Sequence, residues 1–234
     1  MHFALAAVFV IVAVVSATAA PARQPGVPPK FLNIVRQTLK RGAAPAYLDL
    51  EATIVRAYDR AKVPLYWLCL QAPKTPPEIL YLNLFDTPDG LDRAAVIHED
   101  TIKRHPDIAR LLQKLTGYAS APPTSTLTAR RDEFDYARRG VDFATMGALR
   151  VVVFHVEPGH EGEFVDAVQT GRAVPWQIYE DRAAPTFYLL VPMRSPSDRK
   201  GGGLPRGLRH LKRVYRAEKP IVYAVRPAMS HMPH

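Results

Sequence analysis

The sequence predicts an α+β fold made of two similar halves, and three observations support this. The same order of elements (a strand, a helix, a hairpin of two strands and a second helical segment) is visible twice along the chain. Val63-Pro64 and Val174-Pro175 stand at corresponding places, each before an aromatic-rich strand. The composition, 47% hydrophobic and 23% charged, is that of a folded protein large enough for one large domain or two small ones.

The first half contains five predicted elements. Apolar and aromatic runs place its strands, and apolar residues spaced three or four apart place its helices. Pro106 is expected to interrupt the second helix, since proline removes a backbone donor. The elements are a strand over 31–39, a helix over 46–61, strands over 63–71 and 78–86, and a helix over 91–115.

The second half repeats this order. Gly42 and Gly159 each follow the opening strand of their half. A basic segment up to Lys219 is expected to hold the last helix. The elements are a strand over 149–156, a helix over 161–170, strands over 174–181 and 186–193, the basic segment, and a strand over 221–225.

The element order in each half is the split βαβ order of the ferredoxin-like fold. We therefore predict two tandem ferredoxin-like repeats, over 31–116 and 148–226, followed by a tail over 227–234. Residues 117–147 are predicted to be an irregular connector able to supply one edge strand. The sequence leaves open whether this connector closes the first sheet or covers the mouth of a pocket.

The amino terminus has the features of a secretory signal. Residues 3–15 form an apolar run that is too short for a bilayer span of about 20 residues. Ala17-Thr18-Ala19 fits the small-x-small pattern of signal peptidase. We predict a signal peptide over 1–20, a proline-rich leader over 21–30, and a periplasmic or secreted location. Because the basic region before the apolar run is weak, retention of the signal as an anchor stays open, and no later segment is long enough for a transmembrane span.

The positive charge favours anionic partners without identifying one. The net charge of +9 is spread along the chain and no nucleic-acid-binding module accompanies it, which argues against nucleic acid as a partner. The densest basic segment would present one helix face to anionic envelope surfaces, or would simply be a solvated outer face. Its residues are Arg209, Lys212, Arg213 and Arg216.

One segment of the second half resembles the opening of a repeat in the dimeric α+β barrel superfamily, and the chain is similar to exported bacterial proteins that carry two such repeats. The resemblance implies two antiparallel sheets from one chain that face each other as an intrachain α+β barrel and enclose a pocket. The superfamily includes quinol-type monooxygenases, haem-degrading and haem-peroxidase enzymes and muconolactone isomerases, and the fold cannot choose among them. The segment is Val151-Val152-Val153-Phe154-His155-Val156-Glu157-Pro158-Gly159-His160, followed by Glu163-Phe164.

Strand alternation gives candidate ligand-binding residues. In the strand over 78–86, one face carries Leu80, Leu82 and Leu84 and suits packing against helices, whereas the other mixes aromatic and polar side chains. If the mixed faces meet across the barrel, they line an apolar cavity with a few polar groups, unless the same side chains fill it. The candidates are Asn33, Gln37, Tyr81, Asn83, Phe154 and Tyr188, the last expected on the face equivalent to that of Tyr81.

No motif assigns catalysis, a metal or a cofactor. The histidines lack metal-ligand spacing, the tail around His231 and His234 is expected to be frayed, and the single cysteine, Cys69, lies in an apolar run as a buried hydrophobe. We therefore expect no metal and no cofactor. The leading interpretation is binding of a small apolar or amphipathic molecule, or of a protein partner. The alternative is a cofactor-independent monooxygenase or isomerase that uses the cavity between the two sheets, and the oligomeric state stays open.

Overall fold

The computed structural model describes residues 28–131, 145–169, 177–198, 207–208, 211 and 213–232. The predicted signal peptide over 1–20, most of the leader and part of the connector lie outside these residues, as do Arg209 and Lys212. Export therefore stays a prediction from the sequence. Within the described residues, no helix has the length and apolar character needed to cross a membrane.

The helices and strands follow the predicted order closely. Pro106 separates two helices, as predicted, and β8 lies where the sequence analysis expected helix. Gly42 and Gly159 both have positive φ, 77° and 88°, in the turn after the opening strand of each half. The elements are β1 (Phe31–Thr38), α1 (Ala44–Ala61), β2 (Trp67–Ala72), β3 (Glu78–Phe85), α2 (Gly90–Arg104), α3 (Pro106–Thr116), β4 (Thr124–Arg130), β5 (Ala148–Val156), α4 (Glu161–Gln169), β6 (Gln177–Asp181), β7 (Thr186–Met193), β8 (Tyr215–Ala217) and β9 (Ile221–Val225).

The strands form one closed antiparallel barrel, which confirms the predicted fold class. The first half gives the order β4-β1-β3-β2 and the second gives β9-β5-β7-β6. The two sheets join where β4 pairs with β6 and where β2 pairs with β9. The strand in the predicted connector is β4, and it is paired on both sides by β1 and β6 rather than lying at an edge. β8 pairs with the end of β5 outside this ring of eight strands.

The barrel interior is packed with side chains, which corrects the expected cavity between the sheets. Leu80 and Leu82 are fully buried there, so the leucine face of β3 points into the barrel and not towards the helices. Alternation separates the two faces of a strand, but it cannot say which face is internal when both are covered. The packed residues include Leu32, Ile34, Leu68, Leu70, Leu149, Val151, Val153, Tyr179, Tyr188, Leu190 and Tyr223.

The predicted ligand roles of Phe154 and Tyr188 are not supported by their positions. Phe154 packs against Phe164 of α4, with ring centroids 5.2 Å apart, in an apolar layer outside the second sheet. Tyr188 lies in the barrel interior, on the opposite face from Tyr81. Tyr188 was expected on the face equivalent to that of Tyr81, and this comparison of the two halves is one residue out of register; such a shift exchanges the faces of a strand.

The predicted basic helix face is wrong for the residues that can be placed. Arg213 lies in a turn, and Arg216 lies in β8 opposite His155. Tyr215 beside it packs on Phe154, at 5.4 Å between ring centroids. An aromatic side chain with a sheet partner is better placed in a strand than on a solvated helix, and this local pairing overrides the helical charge pattern.

The inward direction of the leucine face predicts the effect of truncating it. Leu82→Ala should lower the free energy of unfolding by about 2–5 kcal/mol, because Leu82 is fully buried inside the barrel. Leu84→Ala, on the same face but only partly buried, should cost clearly less. Urea denaturation measures both values. Equal losses, or a small loss for Leu82→Ala, would contradict the assignment.

Candidate functional site

A cavity of about 300 Å³ lies between the outer face of the first sheet and helices α1, α2 and α3. Four of the predicted residues, Asn33, Gln37, Tyr81 and Asn83, line it. The mixed face of β3 therefore does border a cavity, but on the helix side of the sheet. The other lining residues are Val35, Tyr47, Glu51, Ile54, Tyr58, Leu65, Tyr66, Trp67, Phe85, Leu91, Ala94, His98, Leu112, Leu115, Pro123 and Ser125.

The floor of the cavity carries an amide and hydroxyl cluster. Asn33 on β1 pairs with Asn83 on β3, so that the two side chains share the outer face. The Ser125 hydroxyl donates to Asn33 Oδ1 at 2.6 Å. The side-chain amide of Asn83 donates to the backbone carbonyl of Asn33 at 3.3 Å. A primary amide has two N–H donors and a carbonyl acceptor. Among the described residues this is the one hydrogen bond of the Asn83 side chain, which leaves polar capacity for a ligand.

Gln37 has a structural role in the cavity wall. Its side-chain amide donates to the carbonyls of Thr38 at 3.0 Å and Ala121 at 3.1 Å. These bonds fix the segment before β4 against β1. Gln37 therefore shapes the cavity, and both of its N–H groups are already used.

Glu51 is the chemically distinctive residue, and sequence analysis missed it. On α1 it shares a face with Tyr47 and Tyr58, because residues four and seven apart lie on the same side of a helix. Only 4% of its surface is exposed. Burial raises the pKa of the Glu51 carboxyl to about 8, although the polar groups of Tyr81 and Trp67 act in the opposite direction. The signal available in the sequence was an acidic residue on the apolar face of a predicted helix.

A pair of tyrosine hydroxyls lies beside Glu51. The hydroxyl oxygens of Tyr47 on α1 and Tyr81 on β3 are 2.6 Å apart, so one donates to the other. Burial, reinforced by the charge of Glu51, raises the pKa of both phenols. Cys69 lies behind them, fully buried, and burial also raises the pKa of its thiol. Both tyrosines are therefore neutral donors at physiological pH, and Cys69 is not a thiolate nucleophile.

His98 contributes a second polar point on the helix side of the cavity. It lies on α2, and its Nδ1 is 3.1 Å from the Tyr58 hydroxyl. Burial lowers the pKa of His98, so its imidazole is neutral near pH 7. No cluster of three or more His, Cys, Asp or Glu side chains with the geometry to hold a metal occurs in the described part of the chain.

The carboxy-terminal segment packs against residues that line the cavity, whereas the sequence predicted a frayed tail. His231 pairs with Trp67 through two backbone hydrogen bonds of 2.9 and 3.0 Å. Its Nδ1–H donates to the Leu65 carbonyl, and its Nε2 is 2.9 Å from the Asp59 carboxylate. The imidazole also stacks on Tyr66, at 5.7 Å between ring centroids. His231 thus holds in place three consecutive residues that line the cavity.

Comparison with known proteins identifies the fold. No protein-family model and no curated protein sequence matches the chain. A provisionally named monooxygenase from Fusobacterium nucleatum matches with a TM-score of 0.54 and 11% identity, over 85% of this chain and 93% of that one. An anthrone oxidase-like protein gives 0.54 and 10% over 86% and 94%, and a provisionally named chlorite dismutase gives 0.56 and 9% over 87% and 97%. These neighbours are dimeric α+β barrel proteins, and at such identities the likeness shows the fold alone.

Because Glu51 is buried, replacing it with the neutral Gln should raise the free energy of unfolding by an amount that depends on pH. In the unfolded chain, the Glu51 carboxyl has its ordinary pKa of 4.5. In the folded protein its pKa is about 8, so the carboxyl keeps its proton to a higher pH. The contribution of Glu51 to wild-type stability should therefore fall as pH rises between these values, at most by about 1.4 kcal/mol for each unit of pKa difference. Glu51→Gln cannot titrate, so its free energy of unfolding should rise relative to wild type across this range.

Urea denaturation of both proteins at several pH values measures this difference. His98 contributes equally to both proteins, so its titration cancels. Glu99→Gln, an exposed change on α2 that also removes one negative charge, is the matched control. A difference between Glu51→Gln and wild type that does not change with pH would show that Glu51 titrates normally.

Proposed function

We propose that the protein binds a small, largely apolar molecule with at least one hydrogen-bonding group in the cavity between its first sheet and helices α1 to α3. The supporting observation is the composition of the cavity wall, which is mostly aliphatic and aromatic with polar groups at three points. These points are the Asn33–Asn83 floor, the Glu51–tyrosine cluster and His98. Such a composition is typical of small-molecule sites.

The size and shape of the cavity favour a small molecule over a protein partner. Its volume of about 300 Å³ lies at the lower end of the range for ligand pockets. A protein partner would instead call for a broad exposed apolar patch. Among the described residues, the large hydrophobic side chains that are exposed are Tyr66 and Val96, at 38% and 41%. Two such side chains do not make a protein interface.

Filling the cavity should abolish binding without unfolding the protein. Ala94 on α2 lines the cavity, so Ala94→Trp places an indole in the ligand volume. Val96→Trp, two residues away and solvent-exposed, is the matched control. With 2-naphthol as the probe, wild type and Val96→Trp should bind in equilibrium dialysis and be stabilised thermally, and Ala94→Trp should show neither effect. Equal binding by the two variants, or no binding by wild type, would refute the site.

A second candidate function is a cofactor-independent monooxygenase or isomerase that works in this cavity rather than between the sheets. Glu51 favours it, because a buried carboxyl with a raised pKa beside tyrosine hydroxyls is typical of acid–base sites. The names of the monooxygenase and the anthrone oxidase-like protein of the same fold suggest an oxidation to test.

Dioxygen uptake tests the oxygenase alternative. Anthrone and dioxygen would give anthraquinone and water, with the methylene carbon becoming the new carbonyl. In an oxygen electrode we expect wild-type protein to accelerate uptake above autoxidation, and Glu51→Gln to lose the acceleration. Glu78→Gln, a buried carboxyl inside the barrel, should retain it. If wild-type protein does not accelerate dioxygen uptake, this oxygenase activity is rejected and an isomerase activity is the remaining enzymatic alternative.

A further inference from the structure

We propose that Glu51 is a catalytic proton acceptor and donor for a bound ketone that has an acidic C–H beside its carbonyl group. This inference rests on the cavity being a ligand site and deepens the proposed function. It concerns proton transfer alone and requires no oxidant.

The first argument is that Glu51 has no charged neighbour among the described residues that line the cavity. Among the described residues that line the cavity, Glu51 is the one acidic side chain, and lysine and arginine are absent from the lining. A carboxyl that served only the fold would be expected to pair with a cation when buried, because an unpaired buried charge is costly. Here the group instead faces an apolar volume that a ligand can occupy.

The second argument is the set of neutral groups that surround the carboxyl. They come from each element packed around it: Tyr47 and Tyr58 of α1, Cys69 of β2, Tyr81 of β3 and His98 of α2, while α3 contributes Leu112 and Leu115. Burial raises the pKa values of the tyrosines and the thiol and lowers that of the imidazole, so that all of these groups are uncharged near neutrality. Arg226, whose charge acts on the Cys69 thiol, and the His231–Asp59 pair lie outside the cavity lining. Within the lining, Glu51 is the one group that changes charge near pH 8, where it can both accept and return a proton.

The third argument concerns the charge that develops on the ligand. When the carboxylate removes the hydrogen as a proton, the electron pair of the C–H bond forms a carbon–carbon double bond and the carbonyl oxygen becomes an enolate. Such an oxygen needs a preorganised donor. The Asn83 amide keeps a second N–H after its bond to the Asn33 carbonyl. Tyr81 hydrogen-bonds to the Glu51 carboxyl, and Tyr47 is bonded to Tyr81, so we assign these two tyrosines as positioning residues.

The same step explains two outcomes. Return of the proton to its original carbon exchanges the hydrogen with solvent through Glu51. In a β,γ-unsaturated ketone the enolate extends over the second double bond, so return of the proton to the γ carbon shifts that double bond and gives the conjugated isomer. Both outcomes balance without a further reactant. The substrate class is therefore a small, apolar, enolisable ketone.

Hydrogen–deuterium exchange of 2-tetralone in D₂O tests the inference. Proton NMR follows the loss of the signals next to the carbonyl, and saturation-transfer NMR of the same sample reports binding. Wild-type protein should accelerate exchange over buffer, with a rate that rises with pH and levels off above about 8. Glu51→Gln should bind 2-tetralone but lose the acceleration by about 100-fold or more. Glu51→Asp, with a shorter carboxyl arm, should retain part of it.

Glu78→Gln is the matched control, because Glu78 is as buried as Glu51 but bonds to Tyr223 inside the barrel. It should exchange at the wild-type rate. Binding without accelerated exchange, or full exchange by Glu51→Gln, would overturn the proton-transfer role and leave the binding site intact. Failure of both 2-tetralone and 2-naphthol to bind wild type would overturn the binding site and this inference together.

Discussion

Closure of the antiparallel sheet is the constraint on which the other features depend. The pairings of β4 with β6 and of β2 with β9 leave the ring without a free edge, so its backbone groups are satisfied internally. A ring of eight strands is just wide enough for its inner side chains to fill it. The inward face therefore becomes core, and any hollow must lie outside the sheet, under the helices.

The two halves use this outer layer differently. Among the described residues of the second half, Phe154, Phe164 and Phe187 pack together between the sheet and α4, with the rings of the latter two 4.8 Å apart. In the first half, three helices span the sheet, and the side chains beneath them include Val35, Asn83 and Ala94. Small and polar side chains are among those that line the layer between the first sheet and its three helices. A cavity of about 300 Å³ stays open between them. The asymmetry between equivalent layers is what makes one half a candidate site.

The sequence predicted the fold well because periodicity and turn residues are local signals. The strand over residues 186–193 and the break at Pro106 appear as predicted. For the candidate site, strand alternation grouped Asn33, Gln37, Tyr81 and Asn83, and these four residues do line one cavity, while their ligand-binding role stays a prediction. Which face is internal depends on barrel closure, a property of the whole sheet, and this misplaced Phe154. Tyr188 was misplaced for a different reason, because the two halves were compared one residue out of register. His231 was missed because its contacts, with Asp59 and Trp67, lie more than 160 residues away along the chain.

The energetics of Glu51 separate packing from function. An apolar side chain or a glutamine at this position would fill the same space without an ionisation cost, whereas the carboxyl lowers stability whenever the pH exceeds its unfolded value. Nothing in the described cavity wall offsets this cost with a cation. A residue that weakens the fold at neutral pH is explained best by what it contributes when the cavity is occupied. For an apolar cavity, that contribution is one group able to donate a hydrogen bond when protonated and to accept a proton when ionised.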